Sequence, residues 1–593
     1  MCGFIISISK NKIDSKDFSK AFREIINRGP DTQKIGSFKK NNLFFNYGFA
    51  RLSIRDPNKR SDQPFATKKT SMLFFNGEIY NSDDLKKKYN IVTKTQSDTE
   101  ILGILLDKYN TNIFNHLNGM WSISKLDLKK NNILLSRDRY GVKPLYYYLD
   151  NNQLIISSTI LSIKKLIKEK AEINYNHFLE YLHNNINYNE KNIFKNIKEF
   201  NSSSYKIFDF KKWKFEKSKK YFDIKNFKPK KFNLFYDFKS SVNRRLISDR
   251  PVGLMLSGGV DSSLILSCLN FTKKTKNLTA YVGYIDKKSN DFIYANKILK
   301  ETGIKSKIIK IENDSLTLKE FNKICRNQET LFPLIGNVLS SYQIYKNINK
   351  FKTKVVIDGS GGDEIFCGYP NRYFYFYLNE LRKKNFLLFL KKIKNFNFNK
   401  FKNFITFFVK IYFPKIKFMF NSKYIKDKYL EISDPIYSKN LSFNDSIKID
   451  AFYGRLPHFL HQLDRNSMTF GLENRSPFLD KSLIKYLFSN FNDKVSDNFF
   501  KKELRDLFKK FSELSTSRRL DKSGFSFGRD KFLKKNYKQF LIKIKNSKIL
   551  NKLIHLNKFL DDTNLSKLDV ASDLNFFSRL CVIASIEETI INS

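Results

Sequence analysis

The sequence predicts two unlike domains in succession: an α+β domain of layered antiparallel sheets with helices, then an α/β domain built on a parallel sheet with extra helices. The chain has 593 residues, more than a single hydrophobic core usually serves. Short apolar runs separated by polar turns fill its first two hundred residues, which is typical of antiparallel strands. Beyond residue 250, apolar runs of strand length alternate with helical patterns, which favours a parallel sheet.

The first domain is predicted to cover residues 2–210. Its strand-like runs lie at 4–8, 43–47, 71–75, 121–126, 133–135 and 154–157. Polar clusters lie between or beside them, at 28–31, 51–54, 61–64, 76–81, 97–100 and 137–146. These clusters supply the candidate site residues of this domain.

Cys2 is a candidate nucleophile. An initiator methionine before a small residue is commonly removed, which would leave a thiol and a free α-amine on Cys2. The α-amine has an ordinary pKa of about 7.7–8.0, so it can take the thiol proton directly or through one water. A cysteine at position 2 is weak evidence by itself, and the polar clusters that accompany it strengthen the assignment.

A linker is predicted over residues 211–233, which are dense in lysine and phenylalanine, and the second domain over 234–593. A helix over 234–250 leads into the stretch 251–266, which has the pattern of a buried strand, a glycine turn and a helix start. The turn is Ser-Gly-Gly-Val-Asp-Ser-Ser, residues 257–263. The first amides of a helix stabilise an anion and glycines let it approach closely, so the turn predicts a phosphate site.

A second acidic glycine turn follows the predicted strand at 354–357, after strands at 278–284 and 306–311. In parallel sheets ligands bind beyond the carboxyl ends of the strands, so we expect Asp363 of this turn to face Asp261 of the first. Two carboxylates there would hold Mg²⁺ on a polyphosphate. Asp261 and Asp363 are therefore the candidate metal ligands.

The N-terminal clusters together resemble the glutaminase domain of class II glutamine amidotransferases, which has the N-terminal-nucleophile hydrolase fold. The resemblance implies that Cys2 attacks the side-chain amide of glutamine and releases ammonia through a thioester. It also implies that the Asn76 side chain and the Gly77 amide form the oxyanion hole. The residues that match the family's glutamine-binding set are Arg51, Asn76, Glu78 and Asp98. An α-amino acid requires a cation at one end and an acid at the other, which agrees with this set.

The C-terminal part resembles the synthetase domain of glutamine-hydrolysing asparagine synthetases, with the first glycine turn as its PP-loop. Stretches at 464–468, 471–480, 501–505 and 522–525 carry the resemblance, which with the N-terminal domain covers nearly the whole chain. It implies that ATP adenylates a carboxylate, pyrophosphate leaves and ammonia attacks, with Lys501 stabilising charge on the phosphates. The implied ATP-binding residues are Leu256, Ser257, Gly258, Gly259, Asp261, Ser262, Ser263, Gly361 and Asp363.

Three positions depart from the family pattern. Phe49 stands where many relatives have histidine, a change that affects packing more than chemistry, and the proline usual soon after 522–525 is absent. Ser360 stands where many asparagine synthetases have the glutamate of a Gly-Glu-Gly turn. Serine cannot replace that glutamate as an anionic base. Ser360 therefore weakens the assignment of aspartate as the acceptor more than it weakens the assignment of ATP-dependent amide formation.

The resemblance implies glutamine-dependent synthesis of asparagine from aspartate through a β-aspartyl-AMP, with ATP and Mg²⁺ and with ammonia carried through a sealed passage. Two alternatives stay open. One is amidation of another carboxylate, for example a sugar acid in surface polysaccharide synthesis. The other is a basic nucleic-acid- or membrane-binding protein on a degenerate enzyme scaffold.

Composition bounds the partners. The net charge of +50 would attract polyanions, but lysine, asparagine, isoleucine, phenylalanine and tyrosine are abundant throughout, which indicates an A+T-rich genome. No recognition fold accompanies the charge, so small-molecule substrates and no nucleic acid are expected. Five scattered cysteines without CxxC spacing fit a reducing cytoplasm. Neither a signal-peptide pattern nor an apolar run of about 20 residues is present, so a cytoplasmic protein without membrane insertion is expected, and a homodimer stays open.

Residues 381–420 hold eleven phenylalanines among many lysines and no acid. A membrane-surface or single-strand-binding patch is one interpretation, because basic amphipathic segments seek anionic interfaces and aromatic rings stack on bases. The favoured interpretation is a lysine-rich helical region whose phenylalanines face the core. Neither interpretation changes the enzyme.

Overall fold

A computed structural model describes residues 2–593 apart from 168, 170, 189–191, 230, 313–315, 335–336, 384–386, 388, 391–397, 413–422, 430–440, 496–499, 520, 522–527 and 564–570. Antiparallel sheets form the N-terminal part and a parallel sheet forms the centre of the C-terminal part. The predicted fold class is therefore confirmed. Among the described residues, no helix combines the length and the apolar character needed to cross a membrane.

Two antiparallel sheets stack in the N-terminal part. The first has the strand order β10-β8-β9-β1-β3-β2, and the second has the order β12-β11-β7-β6-β5-β4, with β13 also paired to β11. The strands are β1 (Cys2–Ser9), β2 (Thr32–Lys40), β3 (Leu43–Arg51), β4 (Phe65–Lys68), β5 (Ser71–Ile79), β6 (Gly119–Asp127), β7 (Asn132–Arg137), β8 (Tyr146–Leu149), β9 (Gln153–Ser157), β10 (Lys198–Glu199), β11 (Ser204–Asp209), β12 (Lys214–Phe215) and β13 (Lys219–Lys220). The helices of this part are α1 (Ser15–Arg23), α2 (Ser82–Lys88), α3 (Asp98–Tyr109), α4 (Ile160–Leu166) and α5 (Tyr175–Asn184).

Strand β1 is buried on both faces, which explains its largely apolar sequence. Phe4 and Ile6 enter a core between the two sheets, whereas Ile5 joins the core under α1 and α4. Phe49 also lies in the core between the sheets, with its ring centroid 6.5 Å from that of Phe4. Phe49 is thus part of the packing between the two sheets. The layers of this part run helix, sheet, sheet, helix.

The C-terminal part is built on a parallel sheet with the order β16-β15-β14-β17-β18. Its strands are β14 (Val252–Met255), β15 (Thr279–Tyr284), β16 (Ser306–Lys310), β17 (Val355–Ile357) and β18 (Glu473–Arg475). The first helices are α6 (Leu234–Arg245), α7 (Val260–Phe271), α8 (Asn290–Thr302), α9 (Leu318–Gln328), α10 (Asn337–Ile348), α11 (Gly362–Ile365), α12 (Pro370–Arg382) and α13 (Phe398–Tyr412). The later ones are α14 (Phe443–Phe452), α15 (Arg455–Met468), α16 (Phe491–Lys494), α17 (Lys502–Phe508), α18 (Arg529–Lys535), α19 (Tyr537–Lys545), α20 (Lys548–Leu553), α21 (Leu556–Asp562) and α22 (Ala571–Ile586). Strands β14 and β17 lie side by side, so both glycine turns open at the same sheet edge.

Three segments differ in detail from the sequence expectations. Residues 211–233, predicted as a linker, contribute β12 and β13 to the second sheet, and the domain boundary itself stays a prediction. Strand β18 has no apolar residue and was not foreseen. In the described part of 381–420, Phe404 and Phe407 of α13 pack on α12, whereas Phe401 is 45% exposed.

The two parts meet through buried charges. Asp464 of α15 accepts from Arg28 Nη1 at 2.8 Å and from Lys143 Nζ at 3.2 Å. Although burial alone would raise it, these cations hold the pKa of Asp464 well below its usual range. Asp480 likewise accepts from Asn118 of the N-terminal part, at 3.0 Å. The interface is therefore specified by polar partners far apart in the chain.

Candidate active sites

Cys2 and Asn76 are brought together by strands of the two stacked sheets. Cys2 is 6% exposed, and its backbone N–H donates to Asn76 Oδ1 at 3.0 Å. The carbonyl of Cys2 accepts from Arg28 Nε at 3.2 Å. Burial raises the pKa of the Cys2 thiol, and the nearby Arg51 charge opposes this only in part. The thiol therefore needs a local base in order to act as a nucleophile at neutral pH.

The Asn76 side chain lies beside Cys2, and Gly77 is the next residue of the same strand. Because Asn76 Oδ1 faces the Cys2 amide, Nδ2 is the other end of the side chain, and it is buried without an acceptor among the described residues. A buried donor without a partner costs free energy of folding, unless an oxygen of a bound ligand accepts its hydrogen bond. A Cβ atom at Gly77 would lie 2.1 Å from the Met120 carbonyl oxygen, so the close approach of β5 and β6 requires glycine there. The unpartnered Asn76 Nδ2 beside Cys2 suits an oxyanion.

Glu78 and Asp98 form a buried acidic pair next to these donors. Asp98 accepts from the Ile79 N–H at 2.9 Å, and Arg55 Nη1 lies 3.8 Å from Glu78 Oε1. Burial raises the pKa of Asp98, and burial together with the Asp98 charge raises that of Glu78 well above its usual range. An ammonium group placed between the two carboxylates would favour their ionised forms. The pair is thus suited to hold the amine of an amino acid.

Arg51 lies opposite Cys2 in the pairing of β1 with β3. Its guanidinium donates to Asp62 Oδ1 at 2.6 Å, to the Asp56 carbonyl at 2.6 Å and to the Asn58 carbonyl at 3.1 Å. The side chain is 4% exposed. Arg51 already donates to the loop 56–62, so a substrate carboxylate would have to share the guanidinium with that loop.

The first glycine turn carries the features of a phosphate cradle. Gly258 has φ +74°, and a Cβ atom there would lie 2.1 Å from the Asp291 carbonyl oxygen, so only glycine fits. Helix α7 begins at Val260, directly after the two glycines, and Ser263 Oγ donates to the Gly259 carbonyl at 2.7 Å. The hydroxyls of Ser257 and Ser262 form a hydrogen bond of 3.1 Å, and Leu256 is buried beneath the turn. The helix N-terminus is open to an anion from the cleft.

Lys501 joins the two glycine turns. Its Nζ atom lies 2.5 Å from Asp261 Oδ2 and 2.7 Å from Asp363 Oδ1. Although burial alone would lower it, the two carboxylates hold the pKa of Lys501 above its ordinary value. Gly361, with φ +87°, shapes the second turn, and a Cβ atom at Gly362 would lie 2.6 Å from Asp261 Cγ. The structure thus brings the predicted phosphate, metal and lysine residues into one cluster.

The pair Asp261 and Asp363 fits Mg²⁺ by its chemistry. Both carboxylates reach one nitrogen, so their oxygens lie close enough to share one cation. Among the residues that the structure describes, no third acidic, histidine or cysteine side chain completes a protein-only metal cluster. Mg²⁺ is usually held by one or two carboxylates together with phosphate oxygens and water, so two suffice.

A cleft of about 570 Å³ opens above these turns. Residues of both turns line it, and Ser360 is among them. Its volume falls within the range of small-molecule sites. Ser360 donates its hydroxyl to Asp358 Oδ2 at 2.9 Å, which places a carboxylate beside the position where the family pattern has glutamate.

Several charged residues of these sites were not foreseen. Arg475 of β18 lies 3.2 Å from Glu78 Oε2 and 2.5 Å from Glu473 Oε1, so it links the acidic pair to the parallel sheet. Despite burial, Arg475 lowers the pKa of Glu473 to about 2. Arg519 Nη1 donates to the Gly258 carbonyl at 2.9 Å. Arg475 stands within the recognised stretch 471–480, but nothing in the sequence pairs it with Glu78.

One predicted motif cannot be placed, because 522–525 lies outside the described residues. Among the others, Cys2, Asn76 and Gly77 assemble in the N-terminal part, with Glu78 and Asp98 adjacent. The second set gathers at the carboxyl edge of the parallel sheet. Their roles in binding and catalysis stay predictions at this point.

Comparison with known proteins follows the same division of the chain. A family model described as a glutamine amidotransferase domain matches residues 1–222. One described as asparagine synthase matches residues 236–587, more than half of the chain.

Curated relatives carry consistent names. A protein of Methanocaldococcus jannaschii, provisionally named asparagine synthetase [glutamine-hydrolyzing] 2, is 31% identical over 62% of this chain and 76% of its own length. Asparagine synthetase [glutamine-hydrolyzing] 3 of Bacillus subtilis is 25% identical over 85% of this chain and 84% of its own length. The chain therefore belongs to the asparagine synthase family of glutamine-hydrolysing ligases, with a glutamine amidotransferase domain ahead of its synthase domain.

Proposed function

We propose that this protein makes asparagine from aspartate, glutamine and ATP, releasing glutamate, AMP and pyrophosphate. The observation that carries the proposal is that one chain holds two separate clusters, one around Cys2 and Asn76 and one around Lys501 and the two glycine turns. The family match over residues 236–587 supports aspartate as the acceptor. The two sites divide the reaction into ammonia release and carboxylate activation.

In the first half-reaction, Cys2 is the nucleophile. With Cys2 at the mature N-terminus, its α-amine takes the thiol proton and returns it to the leaving ammonia. Asn76 Nδ2 and the Gly77 amide stabilise the oxyanion that forms on the glutamine side chain. Glu78 and Asp98 hold the glutamine amine, and Arg51, shared with its loop, holds the carboxylate.

In the second half-reaction, the turn 257–263 holds the phosphates at the start of α7. Lys501 balances the negative charge of the phosphates as the bond between the α and β phosphates breaks. Asp261 and Asp363 would hold Mg²⁺, which supplies further charge neutralisation on the polyphosphate. The aspartate side chain is activated as β-aspartyl-AMP, and ammonia displaces AMP.

An internal route between the sites is supported by a small cavity at the interface of the two parts. The cavity, of about 20 Å³, is lined by Tyr80, Met120, Lys143 and Asn474, among others. Met120 touches Gly77 on one side, as described above. Ammonia that reached bulk water would be protonated and lost as a nucleophile, so an enclosed passage suits this reaction.

A screen of acceptors tests the proposal. Purified protein is incubated with glutamine, ATP, Mg²⁺ and one carboxylate at a time, while pyrophosphate, AMP and the amide product are measured. Aspartate is expected to support release of AMP and formation of asparagine in equal amounts. If aspartate yields neither and another carboxylate yields AMP, the acceptor assignment is wrong while the reaction class stands.

Another carboxylate is the second candidate acceptor, and Ser360 is the observation that favours it. A glutamate at this position would add an anionic base to the cleft, and Ser360 supplies only a hydroxyl. A sugar acid such as a uronic acid belongs in the same screen for this reason. Amide formation on a uronic acid but not on aspartate would establish this alternative.

A further inference from the structure

The interface cavity and the ATP cleft are separated by a thin polar partition. Asn474 lines the cavity and Asp358 lines the cleft. Asn474 Nδ2 donates to Asp358 Oδ2 at 2.9 Å. Beside them, the Ser476 hydroxyl donates to the Ser360 carbonyl, and these two residues also line the cavity and the cleft respectively. A molecule that passes from one space to the other therefore meets this partition.

Asp358 differs in its surroundings from the other acids of the cleft. It accepts hydrogen bonds from the Ser360 N–H at 3.0 Å, the Ser360 hydroxyl at 2.9 Å and Asn474. Within the described part of the chain, no lysine or arginine forms an ion pair with it, whereas Asp261 and Asp363 share Lys501. Burial raises the pKa of Asp358, and its hydrogen bonds from Asn474 and Ser360 oppose this. A carboxylate without a counter-cation is a better proton acceptor than one that is already paired.

Asn474, which lines the cavity, has an unused acceptor. Its Oδ1 atom is buried, and no donor faces it among the described residues. Leaving such a group unpaired costs about 1–3 kcal/mol, and a small N–H donor would remove that cost. The cavity of about 20 Å³ has room for about one water-sized molecule, and ammonia is of that size. The atom and the space together suit ammonia.

We propose that Asn474 binds ammonia at the partition and that Asp358, through the Ser360 hydroxyl, accepts the proton that ammonia loses on forming the amide. The inference rests on the proposed function. The nitrogen–carbon bond forms, the bond between the acyl carbon and the AMP oxygen breaks, and AMP leaves as an anion. One proton passes from nitrogen to Ser360 Oγ while the Ser360 proton passes to Asp358 Oδ2, so the charge balances. Asp358 is thereby a positioning and relay residue, and it restores within this chain an anionic base that Ser360 alone cannot provide.

Separate measurement of the two steps tests the relay. Asp358→Asn keeps the shape of the side chain but removes its basicity. We expect pyrophosphate release with aspartate and ATP to stay within a few-fold of the parent protein. Amide formation from added ammonia is expected to fall by about 10²- to 10⁴-fold, the usual contribution of a general base. Glutamate release from glutamine should stay unchanged, which shows that the protein is folded.

Ser360 provides a matched pair of variants. Ser360→Thr retains a hydroxyl for the relay and is expected to retain amide formation, whereas Ser360→Ala interrupts it and is expected to lose amide formation selectively. If Asp358→Asn forms the amide as fast as the parent protein does, the inference is overturned. If Asp358→Asn loses both pyrophosphate release and amide formation, the two Ser360 variants decide the question. Equal rates of amide formation in Ser360→Ala and Ser360→Thr would then overturn the inference.

The parent protein separates this inference from the proposed function. Failure of the parent to release pyrophosphate with any carboxylate would refute the proposed function. A parent that makes asparagine, with an Asp358→Asn variant that is equally active, would refute the relay alone.

Discussion

Replacing Lys501 with methionine removes the cation shared by Asp261 and Asp363 while keeping most of the side-chain volume. The Nζ atom lies within 2.7 Å of both carboxylates and Lys501 is 7% exposed, so its charge is buried and fully engaged. Removing one group that stabilises charge developing in a transition state costs about 2.7–4 kcal/mol of activation free energy. Each 1.36 kcal/mol corresponds to about tenfold in rate, so we expect pyrophosphate release to fall by about 10²- to 10³-fold.

The assay measures two activities in the same preparation. Pyrophosphate release with aspartate and ATP reports the Lys501 site, and glutamate release reports the distant Cys2 site, which should keep its activity. Lys509→Met is the matched control, because Lys509 is an exposed lysine nearby in the chain and should leave both activities unchanged. Pyrophosphate release by Lys501→Met within threefold of the parent would refute the assigned role of the lysine.

Three further predictions concern the Cys2 site and the interface. Cys2→Ala is expected to abolish the use of glutamine but to spare synthesis from added ammonia, measured as asparagine formed from each nitrogen source. Because the pKa of Glu78 is raised, its protonated form persists to a higher pH than in an ordinary glutamate. Protonation removes the charge that holds the glutamine amine, so the KM for glutamine is expected to rise as the pH falls, by up to about tenfold per pH unit. Glu78→Gln should flatten this profile. Asp464→Asn leaves Arg28 and Lys143 without their shared acid, so the free energy of unfolding should fall by about 3–5 kcal/mol in denaturant titration.

Each of these has a result that would contradict it. Equal loss of both nitrogen sources in Cys2→Ala would contradict two separate sites. A KM that is independent of pH in the parent protein would contradict the role of Glu78. For the interface, Asp506→Asn replaces an exposed acid as a control, and equal stability of the two variants would show that Asp464 contributes nothing.

The sequence by itself determined the features that depend on local order. Alternating or continuous apolar runs predicted most of the long strands, because the side-chain period of a strand is local. Glycines before a helix start predicted a turn of phosphate-binding type at 257–263 for the same kind of reason, since backbone freedom and helix dipoles act over a few residues. The structure has the glycine turn and the helix start there, and phosphate binding stays a prediction. The spacing of the motifs then carried the family resemblance. These inferences needed no knowledge of which residues, far apart in the sequence, contact one another in the folded protein.

Only the tertiary structure decided which charges are buried together. Strand β18 has the sequence Glu-Asn-Arg, which no hydrophobic pattern marks as a buried strand, and its burial follows from partners supplied elsewhere. Arg475 meets Glu78 across 397 positions of the chain, and Asn474 meets Asp358 across 116. A charged or amide side chain is stable inside a protein only when such partners satisfy it. Folding across long sequence separations supplies those partners, and this is why the link between the two sites was invisible in the sequence.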